Sequence, residues 1–264
     1  GGLRLSQSDT MNDPDEGRAT TDDRFLLKLL KDCSDSMPWV WERYRSAYIC
    51  CFVGVADSTD HPIDAGDDLL FWRLYGNECR GVSISTPPHV SQQLIESSLV
   101  RPVIYTDEPP FQIDLPAISS LLRDLDELRA RAIDADIWRD IASDVLSPCD
   151  RLFGERFLHK RRHYEMEREY RAIVFDAPND TATIDVTDVV SRGIHVQFGL
   201  CRKYVQVKQL NCNKIFTTDS QITIGSNVLE PTGVKGIIAD LLETIDLVPT
   251  AVSIRTSKIP YRPR

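Results

Sequence analysis

No apolar run in this chain approaches the roughly 20 residues that a membrane-spanning helix needs; the longest, such as Tyr48 to Val55, stop far short. No secretory signal opens it, and it begins on Gly1-Gly2 rather than Met, as a fragment or processed chain does. There is no CxxC, and the seven cysteines are odd in number, which speaks against a zinc ribbon and a disulfide framework. Cys50 and Cys51 sit in an apolar run and read as small buried hydrophobes, so a reducing cytoplasm is the expected setting. The nucleotide and hydrolase signatures GxGxxG, GxxxxGK[ST], HExxH and GxSxG are all missing. Internal repeats and low-complexity tracts are missing too.

Positive charge is also in short supply. Lys and Arg number 31 against 40 Asp and Glu, for a net charge of −9. A bulk nucleic-acid binder is basic overall, so nucleic acid is not the expected partner. A small molecule or nucleotide is, with no membrane and no assigned protein partner. One stretch reverses the sign: residues 151–171 hold 7 bases and 4 acids. The five histidines show no tight metal spacing, and no spaced Asp/Glu/His set supports a catalytic metal, so none is expected.

What is present is an ordinary globular composition, 42% hydrophobic and 27% charged over 264 residues, enough to bury a core without staples. Residues 21–33 carry a helical stripe, Tyr48 to Val55 reads as a buried strand, and Asp68 to Tyr75 as a short helix. Gly81 to Ser85 and Val100 to Thr106 read as strands. Residues 116–146 hold the longest helical pattern, from Ile118 to Val145 at near-fourfold spacing. Strands follow at 164–175, 183–189, 193–200, 203–210, 214–217 and 221–225, then a helix at 233–244 and a strand at 250–256. Without regular βαβα alternation, the expectation is one α+β domain over 1–264. It is built on a mixed, largely antiparallel sheet with flanking helices and a helical insertion at about 116–146.

The most unusual stretch is His163-Tyr164-Glu165-Met166-Glu167-Arg168-Glu169-Tyr170-Arg171. As a strand it places His163, Glu165, Glu167, Glu169 and Arg171 on one face, and Tyr164, Met166, Tyr170, Ala172 and Val174 on the other, interrupted only by Arg168. Three carboxylates in a row repel, so something positive must offset them. Such a row either raises one carboxylate's pKa or stabilises a developing cation. The bland alternative is an exposed charged face with ordinary ion pairs. Asn12-Asp13-Pro14-Asp15-Glu16 reads as a fixed turn or as a polar loop lining a ligand site. Trp72 and Tyr75 read as core or as an aromatic wall for a planar ligand.

In order, these motifs resemble a mainly bacterial family of unknown function, the domain-of-unknown-function family 2971. The matching residues are Asn12, Asp13, Pro14 and Glu16; Cys51 and Phe52; Trp72, Tyr75, Gly76 and Gly81; Val103 and Tyr105; Lys160, Tyr164, Glu165, Glu167, Glu169 and Arg171; and Ser257, Pro260, Tyr261 and Arg262. The pattern departs where Tyr164 and Tyr170 replace Trp and where 116–146 is longer. A looser resemblance is to the ADP-ribosyltransferase superfamily. It implies an NAD-consuming transferase or glycohydrolase, with Glu167 foremost and Glu165 and Glu169 beside it as catalytic carboxylates stabilising an oxocarbenium-like transition state. It further implies ligand contacts from Asn12, Asp13, Glu16, Trp72, Tyr75, Lys160, Tyr164 and Arg171, with Trp72 or Tyr75 stacking on nicotinamide. The second reading is a non-enzymatic ligand-binding or regulatory module, in which the charged motif is a structural ion-pair network with Arg171 buried among carboxylates.

Overall fold

A computed structural model describes residues 4–7, 47–54, 67–74, 78–97, 100–107, 120, 123–124, 127, 153–155, 157–175, 189–197, 200–210 and 215–260. The elements run β1 (Leu5–Gln7), β2 (Tyr48–Val53), α1 (Leu69–Leu74), β3 (Val82–Ser85), α2 (Pro88–Glu96), β4 (Val100–Pro102), β5 (Ile104–Tyr105) and β6 (His159–Lys160). A 3-10 helix at Arg162–Glu167 follows, then β7 (Glu169–Val174), β8 (Val189–Gln197), β9 (Leu200–Val207), β10 (Gln221–Ile224), α3 (Pro231–Glu243) and β11 (Ser253–Thr256).

Tyr48, Cys50 and Phe52 alternate with Ile49, Cys51 and Val53, and this period of two fits β2 into the middle of an antiparallel six-stranded sheet. Its order is β4-β7-β2-β1-β9-β8. Register pairs Tyr48 with Val174, Cys50 with Ala172 and Phe52 with Tyr170, so one face collects Tyr48, Val100, Ala172, Val174, Val205 and Val207 into the main core. The opposite face of the same strands carries Cys51, Arg101, Glu169 and Arg171, with Cys51 and Arg101 both opposite Arg171.

β4 is an edge strand, which suits Pro102 because proline has no N–H to give a second neighbour. At Val103, whose N–H reaches the Glu169 carbonyl at 2.8 Å, the chain leaves β7 and pairs in parallel with His159–Lys160 as β5. That departure lets Lys160 approach the charged face of β7.

A second sheet, β11-β10-β3, is three-stranded, with β10 and β11 parallel and β3 antiparallel to β10. The β10–α3–β11 unit is a crossover whose helix buries Ile238 and Leu242 against Ile222, Ile224 and Val252. Each such side chain contributes about 1.5–3 kcal/mol of burial.

The α+β class holds. The strand at Tyr48, the helix at 69–74, the strand at 82–85, the helix at 231–243 and the strand at 253–256 fall where expected within a few residues. The expected strand at Val100 to Thr106 divides in two at Val103. Helix α2, which Pro88 starts at its first turn, was not anticipated. Residues 215–217 contain no strand. Cys50 packs against the main core, as the apolar run suggests, whereas Cys51 on the opposite face is exposed. The helical stripe at 21–33, the strand at 183–188 and nearly all of the proposed insertion at 116–146 lie outside the described residues.

The main correction concerns the charged motif. It is not one strand over 164–175. Tyr164 N–H bonds the Arg161 carbonyl at 3.0 Å and Arg168 N–H bonds the Glu165 carbonyl at 3.2 Å, winding Arg162–Glu167 into a 3-10 helix. Arg168 then takes a left-handed conformation with φ 45° and ends it, and the strand starts at Glu169. The physical reason is charge. An extended backbone would hold three carboxylates on one face, whereas winding sends Glu165 to solvent beside Arg162, three residues away, and brings Glu167 to Lys160. The expected two-face split survives only within β7.

Candidate functional site

The charged face of β7 is built from residues two apart. Arg171 donates from Nε to Oε1 of Glu169 and from Nη2 to Oε2, both at 3.0 Å, a bidentate pair along one strand. Its Nη1 donates to the Phe157 carbonyl. Arg171 is fully buried and Glu169 is 4% exposed. Lys160 Nζ, brought in by β6, lies 2.9 Å from Oε2 of Glu169 and 2.7 Å from Oε2 of Glu167. The Glu169 N–H donates to the Tyr105 hydroxyl at 2.8 Å, and the Cys51 thiol donates to the Glu169 carboxylate.

The electrostatics follow this geometry. Burial pushes the Glu169 carboxyl up, but the Arg171 charge and hydrogen bonds, the Lys160 charge and the Cys51 thiol more than offset it and hold it below the ordinary carboxylate range. Burial likewise disfavours the Lys160 ammonium. The Glu169 charge and hydrogen bonds to Glu167 and Glu169 outweigh that, and with Arg171 opposing them they raise Lys160 above the ordinary lysine value. Burial, aided by the Glu169 charge, raises the Tyr105 phenol.

The three carboxylates therefore differ in kind. Glu169 has its lone pairs taken by donors from two cations and a thiol. Glu167 is 14% exposed and shares only Lys160 with the cluster. Glu165 is 65% exposed and stands 3.8 Å from an equally exposed Arg162, a surface pair of little energy. Tyr164 is half-buried, with Lys160 Nζ 5.5 Å from its ring centre and the His163 ring tilted against it at 4.1 Å.

A second group joins this cluster from α1. Asp68 caps the helix by accepting the Leu70 N–H at 2.8 Å, and its other oxygen lies 3.6 Å from Nη2 of Arg168. The Arg168 guanidinium stacks 5.2 Å over Phe71. Trp72 is buried, and its indole N–H donates to Asp67 at 3.0 Å. Asp67 also accepts the Lys258 N–H at 3.2 Å and a hydrogen bond from the Ser257 hydroxyl. Burial raises the Asp67 carboxyl, but these bonds and the Arg255 charge bring it below its ordinary value.

The structure thus gathers Lys160, Tyr164, Glu167, Glu169 and Arg171, with Glu165 outside the cluster facing solvent. Asn12, Asp13, Glu16 and Tyr75 lie outside the described residues, as do Tyr261 and Arg262. Tyr105 entered the sequence reading only as a family-matching position, and Asp67, Asp68 and Arg168 are the site residues it missed. Two signals pointed to them: an Asp-Asp pair ahead of an apolar helical stretch, and an arginine that breaks an alternating face. Among the described residues, no group of three or more His, Cys, Asp or Glu is placed to hold a metal ion. Among them, too, no helix is long and apolar enough to cross a membrane.

Residues 71–172 match the family described as protein of unknown function (DUF2971). The DUF2971 stretch opens on Phe71, beneath Arg168, and closes on Ala172, one residue past Arg171. It therefore holds every charged residue from Lys160 to Arg171, while Cys51, Asp67, Asp68 and Ser257 fall outside it. No curated protein and no solved structure matches the chain.

Proposed function

We propose that this chain is a non-enzymatic ligand-binding or regulatory module, and that its charged motif is a structural ion-pair network. The observation that supports this reading is the state of Glu169: a buried carboxylate held bidentately by Arg171 and again by Lys160. A carboxylate that stabilises a growing cation must keep uncompensated negative charge facing the reacting atom. Two cations within hydrogen-bond distance leave Glu169 none to offer. The ligand in this reading is a small molecule or nucleotide met by the half-buried Tyr164 and the exposed side of Glu167. The setting is a bacterial cytoplasm, where the free cysteines stay reduced.

One observation favours a second reading, an NAD-consuming, ADP-ribosyltransferase-like enzyme. Glu167 keeps some exposure beside Lys160 and the Tyr164 ring, so it is the one carboxylate of the cluster with both order and access. Nicotinamide release from NAD, measured for the chain and for Glu167→Gln, separates the two. The first reading expects no release above background from either. It also expects Glu167→Gln to cost on the order of 1 kcal/mol of stability, from a weakened bond to Lys160. Release that disappears in Glu167→Gln overturns it in favour of the enzyme.

A further inference from the structure

The motif segments are joined by a polar connection that lies apart from the Lys160 cluster. Ser257 is tied to β10 through its N–H, which donates to the Ile224 carbonyl at 2.7 Å. Its hydroxyl accepts the Ile259 N–H at 3.1 Å, and the turn so formed wraps the Asp67 carboxylate through Ser257 and Lys258. The next residue, Asp68, faces the other way, toward Arg168. Two neighbouring carboxylates thus bind the two sheets, one each.

Arg168 is unusually dependent on that grip. Its left-handed backbone is strained for a residue with a side chain. Among the described residues its Nη1 is buried with no hydrogen-bond partner, and the guanidinium is seated by Asp68 and Phe71, both of the α1 region. Its carbonyl accepts the Gly54 N–H at 2.7 Å, and the next residue is Glu169. Asp68 and Phe71 thus tie the α1 region to the turn between Glu167 and Glu169.

We propose that the Asp67–Asp68 pair is a clasp through which docking of the C-terminal Ser257–Ile259 turn sets the Arg168 turn and, with it, the spacing of Glu167 and Glu169 about Lys160. The clasp makes the C-terminal segment a control element for the charged cluster: anything that lifts Ser257 and Lys258 from Asp67 loosens Arg168. It stands whichever function the cluster serves.

Hydrogen exchange on the full chain tests it, read at the amides of Lys258, Gly54 and Ala172. Lys258 reports the C-terminal turn, Gly54 reports Arg168, and Ala172 reports β7 between its two neighbours in the large sheet. Asp67→Asn is expected to speed exchange at Lys258 and at Gly54 by about fivefold or more while Ala172 stays at its wild-type rate. Coupling is reciprocal, so Arg168→Ala is expected to speed exchange at Lys258 by a similar factor. Ser257→Ala, a milder change, is expected to move both probes the same way and serves if Asp67→Asn fails to fold. Faster exchange at Lys258 with an unchanged Gly54 would overturn the clasp, and so would an equal rise at Ala172, which reports general loosening.

Discussion

Arg171 has no contact with solvent, and its guanidinium meets one carboxylate at two points and one backbone carbonyl at a third. Removing a charge from such a pair is costlier than never having built it, because the partner stays buried and uncompensated. Arg171→Ala is therefore expected to lose about 3–5 kcal/mol, read from the midpoint of urea unfolding. Glu165, 65% exposed, belongs to the same sequence motif but not to the cluster. Glu165→Gln is expected to stay within about 0.5 kcal/mol of wild type in the same assay. Equal costs for the two would mean that Arg171 is not shielded as its burial implies.

Among the elements, the small sheet owes its closeness to one glycine. A Cβ on Gly225 would strike the backbone of Cys79, which cannot turn aside as a flexible side chain does. Gly225→Ala is expected to destabilise by about 1–3 kcal/mol. Gly236, within α3, has nothing within 4 Å of where its Cβ would stand. There alanine lowers the entropy of the unfolded chain, and Gly236→Ala is expected to raise stability by about 0.5–1 kcal/mol. Thermal unfolding of the two variants checks the opposite signs. The charged segment makes the same point about local geometry. The alternating charge pattern from His163 to Arg171 reads as a strand, yet a left-handed Arg168 divides it into a helical turn and a strand.

At the scale of the whole molecule, the buried network sets how stability follows pH. The Glu169 and Asp67 carboxyls are held below their ordinary values. Their contribution is present above the ordinary carboxylate pKa and is lost as pH falls through the depressed folded values. Lys160 is raised, so its contribution is complete below the ordinary lysine pKa and is lost as pH rises through the raised folded value. The contribution of this network is therefore expected to hold a plateau between these limits and to fall on both sides. In Glu169→Gln the acid limb of a melting-temperature profile is expected to be shallower, since a depressed carboxyl no longer titrates. An unchanged acid limb would mean that Glu169 is not the group responsible.

The sequence by itself determined the α+β class, the strand at Tyr48, the helix at 231–243, and the two faces of β7, with Glu169 and Arg171 opposite Tyr170, Ala172 and Val174. Those features follow from side-chain periods of two and 3.6, which are local. It also singled out Lys160, Glu167, Glu169 and Arg171 as one motif. Only the tertiary structure decided that Glu165 leaves the row, that Cys51 is exposed, and that Asp67, Asp68 and Arg168 join α1 to the C-terminal turn and the charged cluster. Those outcomes depend on partners from segments up to 191 positions apart in the chain, as Asp67 and the Lys258 N–H are. No local pattern encodes which distant donor will reach a given carboxylate. Burial settles that, by making each unpaired charge too costly to keep.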